Sequence, residues 1–184
     1  GDWSSDVCSS DLEDRREGFL QGVLVAPVGR FGIVMGKLLG GATLAMVQGV
    51  LFLLLAPLAH VPVSLAGLPV LLVAMFLVSF ALTGLGFLIA WQLNSSQGFH
   101  AIMNLFLIPM WLLSGALFPE GGAQIWMRWV MRLNPLSYGV TAIRAGLYGV
   151  PVPLVSLLVT AGFAVVMFAL SLLVTRRTTS GDLL

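Results

Sequence analysis

Long apolar stretches, separated by short links that contain Gly, Pro or Asn, dominate this chain. No Asp, Glu, Lys or Arg occurs between Lys37 and Glu120. A helix of about 20 apolar residues crosses the hydrocarbon core of a bilayer. The pattern therefore predicts an all-α polytopic membrane protein, with a transmembrane domain over 38–184. Four transmembrane helices are expected at about 38–59, 68–93, 99–118 and 154–174.

The segment 13–37 differs from these stretches because it mixes charged with apolar residues. Its apolar positions recur at helical spacing and form one face. Pro27 and the glycines that follow predict the end of that helix. We therefore expect a cytoplasmic amphipathic helix along the membrane surface, separate from the span that starts near Leu38. The apolar face consists of Phe19, Leu20, Val23 and Leu24.

The segment 120–150 predicts two short helices instead of one span. Arg128 and Arg132 are spaced i, i+4 and lie opposite an apolar stripe that contains two tryptophans. Asn134 followed by Pro135 is typical of an N-cap and a first helical position, so a second helix is expected there. Short helices rich in Trp and Tyr suit an interfacial or re-entrant position. We expect an extracytoplasmic re-entrant helical hairpin.

Composition and charge agree with a membrane protein and suggest its orientation. The chain is 58% hydrophobic and 9% charged, whereas soluble domains are about 25% charged. Four spans place both ends on one side of the membrane. The end segments carry six basic residues and the opposite side carries three, which predicts cytoplasmic ends by the positive-inside rule. The six are Arg15, Arg16, Arg30, Lys37, Arg176 and Arg177; the three are Arg128, Arg132 and Arg144.

Residues 1–12 do not resemble the rest of the chain. The stretch 2–12 reads DWSSDVCSSDL, which resembles the translation of the end of a common sequencing-library adapter. A natural tail rich in Ser and Asp is the less favoured alternative. We interpret the stretch as an artefact, so Cys8 has no expected role and the natural N-terminus is expected upstream of about Glu13.

Candidate chemistry is sparse, and no catalytic or metal-binding residue is predicted. Gly36-Lys37 lacks the Gly and the Ser or Thr that a phosphate-binding loop needs, because Phe31 and Leu38 stand at those positions. We therefore expect no enzymatic activity, no cofactor and no nucleic acid partner for this chain. Uncharged polar residues within the spans either line a substrate path or bond neighbouring helices. They are Thr43, Gln48, Ser79, Thr83, Asn104 and Ser114.

Small residues at i, i+4 on the first span allow another helix to approach closely. Gly36 and Gly40 form this pattern, with Gly41 and Ala45 beside them. Packing within one subunit and a contact between two subunits are both open, and the first is favoured.

Motifs in two regions resemble those of ABC-2 type exporter permeases. Residues 14–20 read DRREGFL, residues 24–30 read LVAPVGR, and Gly36-Lys37 opens the next helix. Further along, 113–119 reads LSGALFP and 134–139 reads NPLSYG, ahead of a last helix. Two positions depart from the family pattern, since Arg16 replaces a usual Glu and Gly22 replaces a residue that is commonly charged.

The resemblance implies the permease subunit of an ATP-driven exporter in the bacterial inner membrane. It implies a separate cytoplasmic ATPase that holds ATP and Mg²⁺, and pairing of two permease chains as a homo- or heterodimer. Six spans are usual, so two would lie upstream of this chain. The extracytoplasmic hairpin would include Asn134, Pro135 and Tyr138. The coupling helix that contacts the ATPase would include Arg15, Arg16, Glu17, Gly18, Phe19, Leu20, Leu24, Pro27 and Arg30.

The alternative function is that of a non-transporting membrane anchor or assembly subunit. It predicts the same spans, but it does not need the broken hairpin or the coupling segment. The resemblance does not name the cargo, because drugs, lipids and polysaccharides all use related permeases.

Overall fold

The computed structural model describes residues 30–58, 60–93, 96–116 and 124–181. These residues form six α-helices and one short 3-10 turn, Leu65–Gly67, and contain no strand. The helices are α1 Arg30–Leu55, α2 Leu68–Gln92, α3 Ser96–Leu112, α4 Ile125–Leu133, α5 Pro135–Tyr148 and α6 Leu154–Gly181.

The all-α prediction is confirmed, and three of the described helices are long and apolar enough to cross a membrane. Their apolar stretches are Phe31–Leu55, Leu65–Gln92 and Leu154–Thr175. The chain is therefore a multi-pass membrane protein. The fourth predicted span, 99–118, corresponds to α3, which has 17 residues with Pro109 inside it and is not among the three.

The first long helix starts earlier than the sequence pattern predicts. The span was expected from Leu38, but α1 is continuous from Arg30 and already ends at Leu55. Glycines are tolerated within membrane helices, and a long basic side chain near a helix end can extend toward the interface, so neither Gly36 nor Lys37 marks a boundary. Pro57 accounts for the early end, because a proline disfavours helical geometry in the residue before it.

Helices α1, α2 and α6 pack together at one end of the bundle. Val34 and Leu38 of α1 and Phe87 of α2 form a buried cluster there. The ring of Phe31 meets that of Phe168 on α6 edge-on, with centroids 5.7 Å apart. The start of α1 therefore lies beside the later parts of α2 and α6, and α1 runs antiparallel to both. We call this the α1-start end of the bundle.

Glycines bring α5 against α2 and α6. A Cβ added at Gly146 would lie 2.8 Å from the backbone nitrogen of Leu71, and one added at Gly139 would lie 2.5 Å from Val78 Cγ2 and 3.7 Å from Thr160 Cγ2 on α6. Rising residue numbers on α5 thus meet falling numbers on α2, so the two helices are antiparallel. Large side chains at Gly139 and Gly146 would hold the backbones apart.

The link before α2 is attached to the end of α5. The backbone N–H of Ser64 donates to the carbonyl of Leu147 at 2.9 Å, and a Cβ at Gly67 would collide with the Gly146 carbonyl. The C-terminal end of α5 and the start of α2 therefore lie at the end of the bundle opposite the α1-start end.

Candidate functional site

The end of α3 is an irregular turn that leaves carbonyl groups without partners in its own helix. After Leu112 the chain turns, with Leu113 N–H donating to the Pro109 carbonyl at 2.9 Å. Gly115 has a φ of 77°, which is readily accessible to glycine. In a membrane these freed carbonyls need protein partners, because no water is present in the hydrocarbon core.

Asn134 lies between the two hairpin helices, α4 and α5. Its side chain forms hydrogen bonds with the backbone of both α5 and α3. Its Oδ1 accepts the N–H of Leu136 at 3.0 Å, and its Nδ2 donates to the carbonyl of Met110 on α3 at 2.6 Å. The side chain is buried, with 8% of its surface exposed. The predicted N-cap at Asn134, with Pro135 as the first helical residue, is confirmed.

Two further side chains of α5 reach the same turn. Ser137 Oγ donates to the Leu113 carbonyl at 3.3 Å, and Arg144 Nη2 donates to the Ala116 carbonyl at 2.8 Å. The three bonded carbonyls thus lie one after another along the end of α3 and the turn that follows it. We call the three donor residues, Asn134, Ser137 and Arg144, the hairpin clamp. The clamp satisfies the carbonyls and fixes the end of α3 to α5.

Tyr138 connects the two helices of the hairpin. Its hydroxyl donates to the carbonyl of Arg132 in the last turn of α4, at 3.0 Å. That carbonyl has no partner further along α4, because the helix ends at Leu133. The hydrogen bond from Tyr138 therefore helps to cap the C-terminal end of α4.

Most of the predicted coupling residues lie outside the described residues. Arg15, Arg16, Glu17, Gly18, Phe19, Leu20, Leu24 and Pro27 belong to this group. Arg30 is described as the first residue of α1. The coupling role of these residues stays a prediction.

The six predicted path residues do not converge on one site. Thr43 and Gln48 are exposed on α1, and Asn104 is exposed on α3. The Thr83 hydroxyl donates to the Ser79 carbonyl of its own helix at 2.7 Å. Ser114 is buried in the turn after α3, where its hydroxyl donates to the Trp111 carbonyl at 2.6 Å. A path-lining role for them stays a prediction.

The small-residue face on α1 is divided in the structure. A Cβ at Gly41 would lie 2.6 Å from Thr83 Cγ2 on α2, so Gly41 serves packing within the subunit. Gly36 and Gly40 have no atom within 4 Å of such a Cβ among the described residues. The expectation of packing within one subunit thus holds for Gly41 and stays a prediction for Gly36 and Gly40.

Sequence reasoning did not identify two members of the hairpin clamp. Arg144 was counted only as a charge for orientation, and Ser137 was not singled out. The position of Arg144 among apolar residues of a short helix was a usable signal, because a charged side chain in a membrane domain needs a partner. Ser137 gave no signal of its own, since helical serines commonly bond their own backbone.

The fold and the clamp define a multi-pass membrane protein in which the short helix α5 is bonded to the end of α3. No group of three His, Cys, Asp or Glu in the described ranges could hold a metal ion. The chain belongs to the ABC-2 type transporter family, whose model matches residues 8–148. The expected resemblance is confirmed, and the match starts within the stretch 2–12.

Two curated relatives are similar at low identity. The probable multidrug ABC transporter permease YbhR of Escherichia coli K12 is 25% identical over 129 residues, which are 70% of this chain and 35% of that protein. The inner membrane transport permease YhhJ of the same strain is 26% identical over 142 residues, 76% of this chain and 38% of that protein. The chain thus spans little more than a third of the length of the curated relatives it matches.

Proposed function

We propose that this chain is part of the permease subunit of an ATP-driven ABC-2 type exporter, which moves its substrate outward. A separate cytoplasmic ATPase binds ATP and Mg²⁺, and this chain hydrolyses nothing. Two permease chains, identical or related, form the membrane unit in the bacterial inner membrane. The observation that carries the proposal is the family match over residues 8–148, supported by the two relatives described as permeases.

We propose further that α3 is a fourth membrane crossing. Its first residue, Ser96, follows closely on Gln92, the last residue of α2, at the α1-start end of the bundle. Its other end is bonded to α5, whose C-terminal end lies at the opposite end of the bundle. Because α3 runs from one end of the bundle to the other, it is suited to cross the membrane, despite its modest length of 17 residues. With four crossings both ends of the chain would lie on one side of the membrane, and the excess of basic residues in the end segments supports the cytoplasmic side.

The packing of α5 supports a re-entrant hairpin. Gly146 lies at the level of Leu71 near the start of α2, whereas Gly139 lies at the level of Val78, deeper in the bundle. At 1.5 Å per residue, the 14 residues of α5 span about 20 Å. Asn134, just before the first residue of α5, then lies deeper in the bundle than Gly146, and α5 leads back toward the end of the bundle where α2 starts.

The continuity of α1 supports a coupling role for the segment before it. No turn separates Arg30 from the apolar part of the helix. A displacement of the ATPase that reaches Arg30 would therefore move α1 as a rod, because a helix transmits force along its axis better than a flexible link does. The buried cluster around Val34 and Leu38 would pass the displacement to α2 and α6.

The coupling role is tested with Glu17→Ala and Arg30→Ala in the assembled transporter, reconstituted in vesicles. Transport is expected to fall far more than the yield of the complex, with ATPase activity uncoupled from transport. Arg132→Ala is the matched control, since Arg132 is an exposed arginine on α4. If both variants transport like the control, the coupling role fails and a non-transporting anchor becomes the better interpretation.

The fourth crossing is tested by labelling single cysteines in intact cells with a membrane-impermeant reagent. Gln97 and Gln124 are both exposed, and they flank α3. Gln97→Cys is expected to react only after the cells are opened, and Gln124→Cys in intact cells. Reaction of both from the same side would exclude a crossing by α3.

A further inference from the structure

A cavity of about 430 Å³ lies next to the hairpin clamp. It is an open cleft between the turn after α3, the C-terminal half of α5 and the link between α5 and α6. Its size is within the range of small-molecule sites, which occupy about 300–1,000 Å³. Its lining residues are Ser114, Gly115, Val140, Thr141, Arg144, Ala145, Tyr148, Val150, Pro151 and Pro153.

Among the described residues that line the cavity, Arg144 is the charged one. Its guanidinium is held by the bond from Nη2 to the Ala116 carbonyl, yet the residue is exposed to the cavity side. The guanidinium of Arg144 presents N–H donors that suit the oxygens of an anion, which gives the cavity a preference for an anionic ligand.

The remaining walls suit a ligand that is apolar beyond its charged group. Valine, alanine and proline supply half of the ten lining residues, and Tyr148 and Val150 are half exposed. Pro153 leads directly into α6, where Leu154, Val155 and Leu158 are exposed. A molecule with its head in the cavity could therefore place a hydrocarbon chain along the first turns of α6.

We infer that the cavity binds the anionic headgroup of a bilayer phospholipid. Arg144 binds the phosphate, since a guanidinium presents paired N–H donors that match phosphate oxygens. The acyl chains lie outside against α6, because the cavity is too small for a whole lipid. Bound in this way, the lipid connects the turn after α3 to α5 and α6. The inference is independent of the cargo and of the direction of transport.

The test measures retention of phosphatidylglycerol by the purified full-length permease, by native mass spectrometry, with phosphatidylcholine as the zwitterionic reference. Arg144→Gln is expected to lower phosphatidylglycerol retention at least tenfold and to leave phosphatidylcholine unchanged. Arg132→Gln is the matched control, because Arg132 is exposed on the same hairpin but does not line the cavity. It is expected to change retention less than twofold.

Two further variants separate lipid binding from damage to the clamp. Val150→Trp fills the cavity from its edge while Arg144 stays in place, and it is expected to lower retention as strongly as Arg144→Gln. Arg144→Lys keeps the charge and is expected to retain at least a third of the wild-type lipid. Equal loss in Arg132→Gln, full retention in Val150→Trp, or loss in Arg144→Lys as deep as in Arg144→Gln would each overturn the inference.

A last arm distinguishes lipid from cargo. An anionic amphiphilic dye is offered to the assembled transporter, permease with its ATPase, reconstituted in vesicles with and without phosphatidylglycerol. The lipid site predicts that phosphatidylglycerol displaces the dye from the cavity and that Arg144→Gln leaves dye export measurable. If Arg144→Gln abolishes export while phosphatidylglycerol retention stays normal, the cavity is a cargo site and the lipid inference is wrong.

Discussion

The two helices of the hairpin, α4 and α5, are joined by one residue and yet are held in opposite ways. Helix α5 presents glycines and small residues to α2 and α6, and its backbone approaches that of α2 closely at Gly146. Helix α4 presents large apolar side chains that stay exposed, such as Trp129 at 62% and Leu133 at 81%. Only Met131 on α4 is buried, at 1% exposure. In a membrane, where lipid is as apolar as any core, small residues hold helices together and large ones face the lipid or its interface.

The sharpest test of this comparison is Met131→Ala, because Met131 is the buried anchor of α4. Truncating a fully buried methionine costs about 2–5 kcal/mol. We expect a lower unfolding temperature of the purified permease and faster proteolysis of α4. A loss no larger than that of Trp129→Ala would mean that α4 does not dock through this residue.

Gly146→Ala tests the close contact of α5. The added methyl would meet the backbone of Leu71, which cannot rotate away as a side chain can, so we expect a loss of about 1–3 kcal/mol. Gly162→Ala is the matched control on α6, where a Cβ has no neighbour within 4 Å. The control is expected to be stabilising by up to about 1 kcal/mol. Thermal unfolding in detergent compares the two, and equal effects would contradict close packing at Gly146.

The junction is tested with Asn134→Ala, which removes both the cap of α5 and the bond to Met110. We expect a loss of about 1–2 kcal/mol from these two interactions. Asn134→Ser retains a capping oxygen and should recover part of that loss. Asn104→Ala, on the exposed face of α3, is expected to have almost no effect. An Asn134→Ala protein as stable as the Asn104→Ala protein would show that the junction is held by other contacts.

The smallest effect is expected for Trp129→Ala. Exposed substitutions away from special features stay within about 0.5 kcal/mol. The measurement is chemical or thermal unfolding in detergent, beside the Met131→Ala protein. A loss above 1 kcal/mol would place Trp129 in a contact that its exposure does not indicate.

The apolar pattern predicted α2 and α6 well, because a long uncharged stretch in a membrane protein has few alternatives to a helix. Asn134-Pro135 was equally informative, since the capping oxygen and the fixed φ of proline act locally. Such local signals do not depend on which helices become neighbours.

Other features depend on neighbours and were not predictable in the same way. The hydroxyls of Thr43 and Thr83 donate to carbonyls of their own helices. The spacing of such residues in the sequence does not show whether they bond their own helix or line a polar path. The division of the glycine face at Gly40 and Gly41 depends on the rotation of α1 against α2. The early start of α1 shows that a basic residue near a membrane helix end does not define where the helix begins.

The contact of Gly146 with Leu71 also has a consequence for biosynthesis. All of α3 and α4 lies between these two residues in the chain, so α2 is inserted by the translocon well before its partner helix has been synthesised. Before α5 has been made, the surface formed by Gly67 and by Leu71 of α2 can contact only lipid or another protein. A ribosome that pauses before α5 would leave that surface uncovered, and a nascent chain truncated there would be a natural substrate for membrane quality-control proteases.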